Sequence, residues 1–98
     1  MDELQRTICL IRYLLLSTQF RKDLPQLRRE DVKLMAKLWE LIDNILDTPF
    51  IGLGKPEPLK GNLSGYWSRR INQEHRLVYK VEEEVIILET CFGHYDDN

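Results

Sequence analysis

Residues 66–92 read YWSRRINQEHRLVYKVEEEVIILETCF, and this stretch decides the fold. It holds three runs rich in β-branched and aromatic residues: Tyr66–Ile71, Arg76–Val81 and Val85–Phe92. Only short polar gaps, Asn72–His75 and Glu82–Glu84, separate them, so they predict an antiparallel meander. Hairpin geometry then brings distant side chains together. A turn centred between Gln73 and Glu74 sets Arg76 opposite Ile71, with Arg69 and Arg70 close by. A second turn near Glu83 sets Arg76 opposite about Thr90, with His94 and Tyr95 continuing just past that end of the sheet. Arginines, a histidine and a tyrosine therefore gather at one place.

Towards the N-terminus, Ile11–Leu16 reads as a first strand. Thr18 can cap a helix that presents Phe20, Leu24 and Leu27 on one face. Pro25 lies inside that stretch, where it costs roughly 3 kcal/mol, so a kink or a late start is expected. A second helix runs from Asp31 to about Leu46, with Val32, Met35, Leu38, Trp39, Ile42 and Ile45 recurring at helical spacing. Thr48-Pro49 ends it. Residues 47–64 form a long Gly/Pro-rich loop, a kind of segment that is often functional. The predicted class is α+β: two helices packed on one antiparallel sheet of about four strands.

With 98 residues the chain is one small domain, and 43% hydrophobic with 31% charged residues is an ordinary globular composition. A formal net charge of −2 is too small for a disordered chain of this apolar content. No apolar run approaches the length needed to span a bilayer. Asp2 and Glu3 stand where a secretory signal needs positive charge, and Cys9 and Cys91 form no disulfide framework. A reduced, cytoplasmic domain is expected.

Charge is unevenly spread. Residues 55–80 hold Lys55, Lys60, Arg69, Arg70, Arg76 and Lys80 against Glu57 and Glu74, whereas residues 81–98 hold six carboxylates and no cation. A basic band containing Tyr66, Trp67 and Tyr79 suits a phosphate backbone with exposed bases. On charge alone, an ordinary solvated sheet face is the plainer reading.

The segment Lys55-Pro56-Glu57-Pro58-Leu59-Lys60 carries the chemistry. Prolines on both sides hold Glu57 extended, and two lysines flank the segment. A stiffly held, ionised carboxylate meets the needs of a general base, although from this segment alone a rigid turn with a surface Glu is the stronger reading. Metal-ligand spacings, a Walker loop, a dinucleotide fingerprint and a hydrolase triad are all missing from the sequence. What remains is Glu, His, Arg, Lys and Tyr. That set suits metal-free RNA cleavage, in which the substrate 2′-OH is the nucleophile. His75 reads as a histidine satisfying loop hydrogen bonds, and Trp67 as a core residue.

The run TPFIGLGKPEPLKGNLSGYWSRRI over residues 48–71, then EHRLVY over 74–79 and Gly93-His94-Tyr95, resembles the YoeB/Txe family of bacterial toxins. The likeness spans about residues 13–95 and is strongest from Thr48 onward. It implies a RelE-like fold of the microbial-ribonuclease type, with residues 1–11 as an extension, 12–95 as the core and 96–98 as a tail. It also implies ribosome-dependent mRNA cleavage without a cofactor or metal. Carried over by position, Glu57 is the general base, Arg76 stabilises the phosphorane, His94 is the general acid and Tyr95 positions substrate. Lys55, Lys60, Arg69 and Arg70 hold RNA phosphates. The implied partners are a YefM-type antitoxin, mRNA in the ribosomal A site and a second copy of the chain. Operator DNA is reached only through the antitoxin complex. A degenerate, non-catalytic antitoxin-binding module and a ParE-like gyrase-directed toxin are the alternatives.

Overall fold

The three C-terminal runs fold as the meander that their spacing predicts: β3 (Tyr66–Arg70), β4 (Arg76–Glu82) and β5 (Val85–Thr90). Before them come β1 (Tyr13–Leu16), α1 (Thr18–Glu30), α2 (Lys33–Asp47) and a two-residue strand β2 (Glu57–Pro58). The computed structural model describes residues 12–93. The expected extension 1–11, His94, Tyr95 and the tail 96–98 lie outside the described residues.

Both helices pack on one sheet, as the α+β reading expects. Its strand order is β1-β5-β4-β3-β2, and it is mixed rather than purely antiparallel. β1 runs parallel to β5, from Tyr13 opposite Val85 to Leu16 opposite Leu88. Ser17 explains this direction. Its N–H donates to the Leu88 carbonyl at 3.0 Å and its hydroxyl to the Glu89 carbonyl at 2.7 Å, so β1 must leave the sheet at the end where β5 leaves it. No hairpin links β1 to its neighbour, and hairpin geometry was the only register signal in the sequence.

The same Ser17 hydroxyl accepts from the Phe20 N–H at 3.0 Å and is the true cap of α1, one residue before the expected Thr18. Pro25 sits inside a continuous α1. Its missing N–H frees the carbonyl of Arg21, an exposed position where water can replace it. In α2 the buried stripe is Leu38, Leu41, Ile42 and Ile45. Leu41 replaces the expected Trp39, which is 46% exposed, and Val32 precedes the helix at 66% exposure. These stripe residues meet Phe20 and Leu27 of α1 and Leu77, Tyr79, Ile86 and Leu88 of the sheet in one core. No helix among the described residues is long and apolar enough to cross a membrane.

Two polar features join this core. Asp23 of α1 is buried and accepts from the Cys91 N–H at 3.0 Å and from Gln19 Nε2 at 2.8 Å. Burial, reinforced by the Asp23 charge, pushes the Cys91 thiol up to about 12.

Two outcomes follow for urea unfolding. Ser17→Ala removes a cap and a strand tie and should cost about 1–2 kcal/mol, against no more than about 0.5 for Thr18→Ala. Because the folded thiol keeps its proton above the ordinary value of 9.0, stability should fall as pH rises from there towards about 12. The slope is at most about 1.4 kcal/mol per pH unit and should be shallower in Cys91→Ala.

Candidate active site

Period-2 alternation assigns the faces of the sheet. Trp67 and Ile71 pack with the core, so Ser68, which is buried, and Arg70, which is exposed, point to the opposite face, on which no helix among the described residues packs. Glu57 pairs with Ser68 and shares that face. Hydrogen bonds to β3 on either side of this short strand fix its place. Arg70 N–H donates to the Gly54 carbonyl at 2.7 Å, and Leu59 N–H to the Tyr66 carbonyl at 2.8 Å. Gly54 has φ +79, and a Cβ there would lie 2.9 Å from Leu41 Cδ2. Lys55 is also left-handed at φ 55, an uncommon conformation for a residue with a side chain. Between this strained entry and Pro58, Glu57 is exposed and directed onto the open face.

Arg69, expected among the RNA-holding cations, is fully buried. Nε donates to Tyr79 Oη at 3.1 Å; Nη1 donates to Asn44 Oδ1 at 2.5 Å and the Leu53 carbonyl at 3.1 Å. Nη2 donates to the carbonyls of Thr48 at 2.7 Å and Ile51 at 3.0 Å. All its N–H groups are thus engaged inside the protein and none is left for a phosphate. The Tyr79 hydroxyl in turn donates to the Pro49 carbonyl at 2.7 Å, and burial raises that phenol above its usual 10.0 against the lowering influence of Arg69. The sequence held the signal. Arg69 alternates with Trp67 and Ile71, both apolar, so it belongs to the core face.

Arg70 and Arg76 stand directly opposite each other on the open face. The turn centres on Gln73, which moves Arg76 from the expected Ile71 to Arg70. The second turn centres between Glu83 and Glu84 and a bulge at Val78/Tyr79 adds a residue to β5, so together they set Val78 rather than Arg76 opposite Thr90, and Arg76 N–H donates to the Gly93 carbonyl at 2.9 Å. Arg70 is exposed and Arg76 half-buried, with Nη1 on the Asn72 carbonyl at 3.1 Å. Neither forms an ion pair among the described residues. Like charges facing across strands are destabilising unless an anion lies between them. Lys55 and Lys60 are exposed on the same loop as Glu57. Lys80 lies over the Tyr66 ring, 5.4 Å from its centre, and pairs with Glu82 at 3.3 Å. Trp67 packs against Phe50, with ring centres 4.9 Å apart.

His75 is buried in the turn that leads into β4. Nε2 lies 3.0 and 2.9 Å from the two Glu30 carboxylate oxygens, and Nδ1 accepts from the Gly93 N–H at 2.9 Å. Glu30, Glu74 and His75 have ligand spacing for a cation, but hydrogen bonds already occupy both imidazole nitrogens. The strand register therefore brings Glu57, Arg70 and Arg76 to one face, leaves Lys55 and Lys60 exposed on the adjoining loop, and excludes Arg69.

The two arginines differ in their expected losses. Arg69→Met orphans several buried acceptors and should cost at least about 3 kcal/mol in chemical denaturation. Arg70→Met should stay within about 0.5 kcal/mol, since its exposed side chain supports no packing.

Residues 16–95 match the family described as YoeB-like toxin of bacterial type II toxin-antitoxin system. Toxin YoeB of Synechocystis sp. is 53% identical over 68 residues, covering 69% of this chain and 79% of that protein. The solved YoeB dimer from Staphylococcus aureus superposes with a TM-score of 0.78 at 42% identity, over 86% of this chain and 98% of that one. The heterotetrameric YoeB-YefM toxin-antitoxin complex from the same organism gives 0.76 at 42% identity, with the same coverage. The chain belongs to the family of YoeB-like toxins of bacterial type II toxin-antitoxin systems.

Proposed function

We propose that the chain is a ribosome-dependent endoribonuclease that cuts mRNA without a metal or cofactor. The observation that carries this reading is the opposed Arg70–Arg76 pair, which meets no carboxylate among the described residues and lies on the same sheet face as Glu57. Two guanidiniums held against their mutual repulsion form a receptor for a doubly charged phosphorane. Glu57, diagonal to Arg70 across β2 and β3 at about 7–8 Å between backbones, lies on the flank from which a base can reach the 2′-OH.

The atoms balance without any further reagent. Glu57 takes the proton of the 2′-OH, whose oxygen bonds to the adjacent phosphorus. Arg76 and Arg70 hold the two equatorial oxygens of the pentavalent intermediate. The bond to the 5′-oxygen then breaks, and His94 protonates that oxygen. The products are a 2′,3′-cyclic phosphate and a 5′-hydroxyl. Tyr95 positions the substrate, and Lys55 and Lys60 anchor flanking phosphates.

A YefM-type antitoxin is the proposed partner, supported by the relative solved with YefM. An acidic antitoxin segment would neutralise the same cations that hold RNA. The relative solved as a dimer supports a second copy as a further partner.

The test uses purified translating ribosomes with mapping of mRNA 5′ ends. Glu57→Ala should lose on the order of 10²–10⁴ in single-turnover rate. Arg76→Lys should lose much of the rate with ribosome affinity little changed, because a lysine cannot offer the planar fork. Full activity in both variants would overturn the assignments. Growth arrest without mRNA cuts would favour a gyrase-directed toxin, and no effect at all a non-catalytic binding module.

A further inference from the structure

Gly93 is held on both of its peptide groups by two consecutive residues. Its carbonyl accepts from the Arg76 backbone N–H at 2.9 Å, and its N–H donates to His75 Nδ1 at 2.9 Å. An imidazole nitrogen that accepts a hydrogen bond carries no proton. In the neutral ring the single N–H is therefore on Nε2, where it points between the two Glu30 oxygens at 3.0 and 2.9 Å. Glu30 is the last residue of α1, so a helix end selects the tautomer. Phe92 stacks on the same ring, with centres 4.3 Å apart and planes at 25°, which fixes its rotation. Gly93 itself has φ +104, a left-handed backbone that turns the chain at this point.

We infer that Glu30 and His75 are positioning residues: their hydrogen-bond relay from α1 to Gly93 sets where the chain enters His94, and fixes that point relative to Arg76. The inference rests on the ribonuclease reading, in which His94 is the general acid and Arg76 the phosphorane-stabilising cation. His75 touches neither RNA nor the reacting atoms in this account. Glu30 acts at one further remove. Without it only the Gly93 N–H on Nδ1 still favours a proton on Nε2, and the other tautomer would turn an N–H towards the Gly93 N–H.

The experiment compares the full chain with Glu30→Gln and Glu30→Ala. Glutamine keeps an acceptor for Nε2–H, and alanine does not. In single-turnover cleavage on translating ribosomes, Glu30→Ala should be about 10- to 100-fold slower, a loss typical of misplacing a reacting group from a distance. KM should hardly change, and Glu30→Gln should recover most of the rate. Imidazole ¹⁵N spectra of the full chain should show Nδ1 unprotonated in the wild type and mixed tautomers in Glu30→Ala. The Gly93 amide should lose its protection from hydrogen exchange in that variant alone. A Glu30→Ala rate equal to that of an active wild type overturns the inference, as does a wild-type tautomer protonated at Nδ1. A wild type that cuts no mRNA overturns the ribonuclease reading itself, and the relay's catalytic role with it.

Discussion

A single buried guanidinium organises this small domain. Arg69 reaches from β3 to Asn44 on α2, to Tyr79 on β4 and to the carbonyls of Thr48, Ile51 and Leu53. A loop rich in glycine cannot bury an apolar face, and its carbonyls need donors when water is excluded. Arg69 supplies them and closes the loop onto β3. The loop then delivers Gly54 and Lys55 to the edge of β3, so Glu57 arrives on the open face in a fixed register. Position of the proposed base thus depends on a residue that never meets the substrate.

The neighbouring strands at the same end of the sheet follow the same logic with different chemistry. A bulge lengthens β5, Gly93 meets the backbone of Arg76, and a histidine tied to Glu30 holds the adjacent N–H. The proposed base comes from a pinned loop, the proposed cations from paired strand ends, and the chain towards the proposed acid from a clamped glycine. Each is set by backbone contacts in a rigid scaffold, which suits a reaction whose acceleration comes from placement and charge rather than from a protein nucleophile.

Much of this was legible in the sequence. The meander from Tyr66 to Phe92 declared itself by strand composition and short polar turns, and the stiff segment around Glu57 by its two prolines. Arg70 and Arg76 fell at one sheet end because hairpin geometry tolerates an error of a residue. Features set by side chains meeting across the fold were hidden. Ser17 rather than Thr18 caps α1 because its hydroxyl also reaches β5. β1 is parallel because that same contact fixes its exit. Leu41 displaced Trp39 from the buried stripe, as both fit a helical period and only the packing partner separates them. Arg69, which the resemblance places among the phosphate-holding cations, is buried because it alternates with Trp67 and Ile71 on the core face.

The central claim is that a sheet face bearing Glu57, Arg70 and Arg76 drives attack by the RNA's own 2′-OH. The chemical identity of the cut ends tests it most directly. Cleavage of mRNA on purified translating ribosomes should leave a 2′,3′-cyclic phosphate on the upstream fragment and a 5′-hydroxyl on the downstream one. A 3′-hydroxyl with a 5′-phosphate would contradict it.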